Sequence, residues 1–262
     1  MSYDHVIYEK QGHVAYVTLN RPERMNALDR HSHEELIEIF DDFAADENSW
    51  VAIITGAGDR AFSAGNDLKA TAEASANGEQ RAGPGSRFAA ITRGYACPKP
   101  LIAAVNGVAA GGGFEIALAC DLVIAADTAR FALPEPRVGL IAGAGGIHRL
   151  SRQIPLKHAM GMLLTGRFVS AAEGHRLGFV NEVVPPAELM AAAERWAREI
   201  LECSPLLVRL TKEAVFDGFG LAVDDAIARD WEARIPRMLA SEDYIEGPKA
   251  FSKKRKPAWT GR

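Results

Sequence analysis

Cysteine is scarce in this chain and irregularly placed. Cys97, Cys120 and Cys203 are the three in 262 residues; their number is odd and no C-x-x-C pair occurs, which argues against a disulfide framework or a zinc knuckle and fits a reducing compartment. Long apolar runs are also missing: no stretch approaches the roughly 20 residues of a membrane-spanning helix. The opening Met1-Ser2-Tyr3-Asp4-His5 has neither the basic region nor the apolar core of an export signal. A soluble, cytoplasmic protein is the expectation. Surplus positive charge is lacking as well. A formal net charge of -4 speaks against a general nucleic-acid surface, with Lys253-Lys254-Arg255-Lys256 as a local exception that reads as a solvated helix face or as a phosphate contact.

Several catalytic signatures are absent. There is no P-loop, and Ser63 lacks the G-x-S-x-G elbow of a serine hydrolase. Gly56-Ala57-Gly58-Asp59-Arg60-Ala61 follows a strand, but the helix and the downstream acid of a dinucleotide fingerprint do not follow it. His31 and His33 stand two apart beside Glu34 with no fourth ligand nearby, so no metal site is expected and both read as exposed residues at a helix start.

What is present is an ordinary globular composition, 48% hydrophobic and 24% charged, enough for one large core domain with an appendage or for two small domains. His5–Glu9 and Val14–Leu19, joined around Gln11-Gly12, predict an opening hairpin. Leu36, Ile39, Phe40 and Phe43 fall at helical spacing within His31–Ala45, capped from Asn26-Ala27-Leu28-Asp29. Three unbroken apolar runs, Val51–Thr55, Leu101–Val105 and Leu122–Ala126, suit strands covered on both faces, and their interleaving with helices predicts an α/β architecture. Ala70–Ser86 reads as a mobile loop. Beyond about Pro185 strand signals stop, and helices are predicted over Ala187–Glu202, Pro205–Phe216, Leu221–Arg234 and Ser241–Lys254. The expected division is a core domain over residues 1–186 and a helical region over 187–262. That region has too little chain for a large core of its own, so it is expected to pack against neighbouring subunits.

The most informative residues are two glutamates, Glu115 just after Gly111-Gly112-Gly113 and Glu135 within Leu133-Pro134-Glu135-Pro136. Glu115 falls in the first turn of an apolar helix, where an ionised carboxylate costs several kcal/mol or shifts its pKa upward. Interaction with the helix macrodipole offers only about 0.3–1 kcal/mol in return. A pair of poorly solvated carboxylates suggests acid/base chemistry. The turns Ser63–Leu68 and Ala110–Glu115 could present two backbone N–H groups as an oxyanion hole, each donor worth about 2.7–4 kcal/mol in a transition state. A thioester carbonyl is one fitting guest.

Several motifs in order carry a resemblance over nearly the whole chain: Asn20-Arg21-Pro22 with Asn26-Ala27-Leu28, Ala61-Phe62-Ser63-Ala64-Gly65-Asn66-Asp67-Leu68-Lys69, Ala103-Ala104-Val105-Asn106-Gly107 with its Gly-Gly-Gly-Phe-Glu, and Phe131-Ala132-Leu133-Pro134-Glu135 leading to Gly143-Ala144-Gly145-Gly146. The chain resembles the enoyl-CoA hydratase/isomerase, or crotonase, superfamily. The resemblance implies a crotonase-like spiral of ββα units with a C-terminal helical region used in trimerisation, assembled as a homo-trimer or a hexamer made of two trimers. It implies a lyase acting on coenzyme A thioesters, as in fatty acid metabolism, with no cofactor or metal and no nucleic acid or membrane partner.

By position, the oxyanion donors would be the N–H groups of Asn66 and Gly112. Glu115 and Glu135 match the two glutamates of hydratases, and Gly143 the glycine that orients water, although Ile141-Ala142 stands where a proline often precedes it. Arg24, Ala64, Lys69, Phe251 and Lys254 match positions that contact CoA. Asn66 departs from the small residue common in hydratases and agrees with some Δ3-Δ2-enoyl-CoA isomerases, which are the alternative; a non-catalytic CoA- or RNA-binding role is another. Within the family, Asn66–Ala70, Phe114–Leu118 and Ser241–Pro248 are similar to the carnitinyl-CoA dehydratases. Phe88, Tyr95, Phe114 and Phe131 are the aromatic candidates to face a trimethylammonium group in such a pocket.

Overall fold

The computed structural model describes residues 3–70, 72, 87–95 and 97–262; most of the Ala70–Ser86 stretch lies outside them. Two compact units are distinguished, one comprising residues 1–96 and 101–195, the other residues 97–100 and 196–262.

The first unit holds both sheets. Strands β1 (Val6–Gln11), β2 (Val14–Leu19), β3 (Val51–Gly56), β5 (Leu101–Val105), β7 (Leu122–Ala126) and β10 (Glu182–Val184) form a six-stranded sheet in the order β1-β2-β3-β5-β7-β10. Only the β1–β2 hairpin is antiparallel; the remaining pairs are parallel. Every residue of β5 is buried, as are Val51 to Ile54 of β3, which is why these strands read as unbroken apolar runs.

A second sheet is built from the short strands β4 (Ala61–Ser63), β6 (Val108–Ala110), β8 (Arg130–Ala132) and β9 (Val169–Ser170), in that order. Each central strand of the large sheet is followed within a few residues by a strand of the small one: β3 by β4, β5 by β6, β7 by β8. This repeated step from sheet to sheet is the spiral expected above. The asparagines of the motifs hold the steps in place. Asn106 Nδ2 donates to Gly56 O at 2.9 Å and to Gly58 O at 2.7 Å, while buried Asn26 Nδ2 donates to Ala61 O at 2.7 Å.

Helix α1 (Arg30–Ala45) opens on Asp29, whose carboxylate accepts from Ser32 N at 2.9 Å, a standard N-cap. It buries Leu36, Ile39, Phe40 and Phe43. His31 is half exposed, but His33 is buried at 5%, against expectation. Its Nδ1 accepts from the amide of Ala89 at 3.1 Å and its ring lies 4.6 Å from that of Phe88, so one helical step inward converts a surface histidine into a tether for residues 87–91. Helices α2 (Gly112–Ala119), α3 (Gly146–Gln153), α4 (Leu156–Thr165) and α5 (Ala171–Leu177) complete the unit, and α6 (Leu189–Leu201) follows β10.

The second unit is helical, with α7 (Pro205–Gly218), α8 (Val223–Ala233), α9 (Ile235–Leu239) and α10 (Glu242–Ser252). Ser204 caps α7 through Leu207 N and donates to Asp243 Oδ2 at 2.5 Å. Arg234 ion-pairs with Asp230 and Asp217. Val215, Phe216, Phe219 and Trp231 are each more than half exposed.

Candidate active site

Two backbone turns meet at the small sheet. After β4 the chain forms a parallel bridge between Asn66 and Leu28: Leu28 N donates to Gly65 O at 2.7 Å and Asp67 N to Leu28 O at 2.8 Å. In that pattern the bridged residue's own N–H points away from the partner strand, so the Asn66 amide faces away from Leu28. Arg21 holds the turn by pairing with Asp67 at 3.3 Å and Asp29 at 3.2 Å, which accounts for the Asn20-Arg21-Pro22 motif. After β6, Gly111 adopts φ 54 and α2 begins at Gly112, whose N–H lies in a helix first turn with no intrahelical acceptor. The turns touch backbone to backbone. A Cβ on Gly65, itself at φ 86, would lie 2.6 Å from Gly112 N and 2.8 Å from Ala110 O.

The carboxylates stand beside this corner. Glu115 is 3% exposed and Glu135 9%. Glu135 opens a 3-10 turn, Glu135–Val138, directly after β8, and its Oε1 lies 3.0 Å from where a Cβ on Gly111 would be. Glu115 Oε1 accepts from the buried amide of Gly146 at 2.9 Å. Burial pushes the Glu115 carboxyl up to about 7, with the like charge of Glu135 adding to the rise; the amides of Gly146 and Ala144 and the Arg149 guanidinium oppose it. Burial raises Glu135 too. Among the described residues its buried Oε2 has no hydrogen-bond partner, an arrangement that costs free energy unless a ligand or water supplies a donor.

Ala64, Asn66, Gly112, Glu115, Glu135 and Gly143 line one cavity of about 290 Å³. Six of the ten residues singled out from sequence are thus brought together. Gly143 borders the cavity, but its N–H is engaged by Ile141 O at 2.8 Å. Arg24 and Lys69 are exposed and outside the lining; Phe251 and Lys254 are exposed residues of the helical unit. Of the four aromatic candidates only Phe88 lines the cavity. Phe114 and Phe131 are buried in a ring cluster with Phe179, and Tyr95 donates to Phe40 O at 2.9 Å.

Sequence reasoning missed Gly146, Arg149, Arg93 and the apolar wall of Leu68, Val138, Leu140 and Ile141. The Gly145-Gly146 pair at the start of α3 was the available signal for the first. Among the described residues one cluster could share a metal ion, Asp4, His31 and Glu35. None of these lines the cavity, and both Glu35 oxygens accept backbone amides, from Asp4 at 2.6 Å and His5 at 3.0 Å; the cluster ties the N-terminal segment to α1.

Paired N–H groups beside two buried carboxylates, on a spiral of two sheets, define a crotonase-fold enzyme. The chain belongs to the enoyl-CoA hydratase/isomerase family, whose model matches residues 9–262. It is 44% identical over 256 residues to the carnitinyl-CoA dehydratase of Escherichia coli K12, covering 97% of each chain. Solved structures agree. The enoyl-CoA hydratase of Mycobacterium tuberculosis H37Rv superposes with a TM-score of 0.90 at 37% identity, over 98% of this chain and 99% of that one. That of Bacillus anthracis gives 0.91 at 35%, over 99% and 100%. No helix among the described residues is long and apolar enough to cross a membrane.

Proposed function

We propose that this protein is an enoyl-CoA hydratase, adding water reversibly across the 2,3 double bond of a 2-enoyl-CoA thioester. The observation that carries the reading is the retention of two buried carboxylates on one cavity, Glu115 and Glu135, beside the Asn66 and Gly112 amides. The thioester oxygen rests on those two N–H groups. A water between the glutamates loses a proton to one carboxylate as its oxygen attacks Cβ; the electron pair of the double bond moves into the enolate held by the amides. The enolate then takes a proton at Cα from a carboxyl of the same pair, so that the two glutamates together end with the protons they began with. Dehydration is the reverse. The two carboxylates share this work and titrate as a pair. Gly143 bounds the water's place by shape, since its amide is already engaged.

The step needs no metal or redox cofactor beyond the CoA of the substrate. Ala64, Lys69 and Arg24 are the proposed CoA contacts of the core, and Phe251 and Lys254 are proposed to reach the site of a neighbouring subunit. The exposed Phe216, Phe219 and Trp231 support assembly through the helical region as a trimer or hexamer. The division at residues 186 and 187 is proposed as the functional one: a catalytic core and an oligomerisation region.

Similarity to carnitinyl-CoA dehydratases at 44% identity favours a second reading, in which the chain removes water from a carnitinyl thioester by the same chemistry. A Δ3-Δ2-isomerase needs one carboxylate, so Glu135→Gln with full activity and Glu115→Gln without it would favour that reaction. An RNA-binding role for the basic run is weakened by the pairing of two of its members, Arg255 with Glu246 at 2.5 Å and Lys256 with Glu202 at 3.8 Å.

The test is turnover of crotonyl-CoA in ¹⁸O-water followed by mass spectrometry. Hydration places one heavy oxygen on the 3-hydroxybutyryl product; absence of label despite CoA binding would overturn the reading.

A further inference from the structure

Two residues of the segment 87–95 line the cavity, Phe88 and Arg93, and the segment approaches both the oxyanion corner and the turn before α3. The Phe88 ring covers Gly112, with its Cζ 2.3 Å from where a Cβ on that glycine would be, and Thr92 O is 3.5 Å from the same point on Gly145. Arg93 follows Thr92, is exposed, and lines the cavity. With the thioester oxygen at Asn66 and Gly112 and Cβ between the glutamates, the acyl chain beyond Cβ runs toward the turn 143–146. Arg93 therefore stands at the far end of the acyl chain, not over the thioester.

Its company there is apolar. Among the described lining residues Arg93 is the only basic side chain and Phe88 the only aromatic one. The acidic members, Glu115 and Glu135, are engaged at the reacting carbons, and burial biases both toward the neutral form. A quaternary ammonium is ordinarily held by several aromatic faces or by a carboxylate of its own. Here it would meet one ring and a permanently charged guanidinium.

We infer that Arg93 sets the preference of this site for the end of the acyl chain, favouring thioesters that terminate in a carboxylate over uncharged ones, and both over those that terminate in a quaternary ammonium. The inference rests on the hydratase reading for the pose of the acyl chain. It selects among substrates of that reaction, and it places the carnitinyl reading last.

The test is calorimetric binding of three saturated thioesters, which cannot be turned over: glutaryl-CoA, γ-butyrobetainyl-CoA and the uncharged tert-butyl isostere of the latter. The parent protein binds glutaryl-CoA about tenfold or more tightly than γ-butyrobetainyl-CoA, the scale of one charge contact in a partly solvated site, with the isostere between them. Added salt narrows the gap because Arg93 is exposed. Arg93→Gln collapses the order and Arg93→Glu inverts it. An unchanged order in Arg93→Glu would overturn the inference. So would an equal weakening of all three thioesters, which would make Arg93 a contact of the CoA phosphates. Hydration of crotonyl-CoA, read separately, judges the hydratase reading without bearing on that order.

Discussion

The amide of Gly146 donates to Glu115 Oε1 across 2.9 Å in a fully buried contact, joining the first turn of α3 to the carboxylate of α2. The same glycine leaves little room: a Cβ there would lie 3.0 Å from Glu115 Cγ, Glu115 Oε1 and Leu133 Cδ1. One residue thus holds the Glu115 carboxylate in place and opposes the upward shift that burial imposes on it.

Gly146→Ala tests that relationship. Its backbone is helical, so alanine costs nothing in φ, but the methyl displaces the carboxylate. The expected result is a fall in kcat of roughly 10- to 100-fold, the penalty for a reacting group misplaced by a fraction of an ångström, with a much smaller change in KM. Steady-state kinetics on crotonyl-CoA checks it; unchanged kcat would show that Glu115 adapts.

Gly65→Ala separates the two proposed oxyanion donors, the amides of Asn66 and Gly112. The new Cβ would meet backbone atoms, Gly112 N at 2.6 Å and Ala110 O at 2.8 Å, from a residue at φ 86. Neither partner is a flexible side chain. The variant should lose about 1–3 kcal/mol of stability or more and about 100-fold or more in kcat. Thermal unfolding and kinetics together check this, and a stable, fully active variant would refute the backbone contact.

Glu115 gives a pH signature of stability. Its folded pKa of about 7 lies above the unfolded value of 4.5, so its contribution is fully present below about 4.5 and is lost as pH rises through about 7. Glu115→Gln should therefore gain in melting temperature relative to the parent as pH is raised across that window. A constant difference from pH 4.5 to 8 would mean that the folded carboxyl is not raised.

Arg149 opposes the rise, and it donates to Ala144 O at 3.2 Å. Arg149→Met removes the charge that lowers the Glu115 pKa, so the acid limb of kcat/KM should move to higher pH, with Arg149→Lys restoring it in part. The limb reports the coupled pair of Glu115 and Glu135. Equal profiles for parent and Arg149→Met would confine Arg149 to holding the turn.

Much of this was legible in the sequence, for physical reasons. Buried parallel strands announce themselves as apolar runs, hence β3, β5 and β7, and α1 by its period. The strands of the small sheet are two or three residues long, too short to show a period, and only the ordered motifs implied them. Glu115 and Glu135 were visible because a carboxylate among apolar residues is costly. His33 was misread because burial there depends on residues 87–91, over fifty positions away. Arg93 and the wall from Val138 to Ile141 carry no local signal, since an exposed arginine and a few exposed aliphatics look like ordinary surface until the fold places them on one cavity.

The central claim is that Glu115 and Glu135 together drive addition of water. Loss of the conjugated-enoyl absorbance of crotonyl-CoA, followed with the parent, each single Glu→Gln variant and the double variant, tests it most directly. The account predicts rapid loss with the parent, a large reduction in rate with either single variant, and none above background with the double. Full activity in the double variant, or no loss with a parent that binds CoA thioesters, would contradict it.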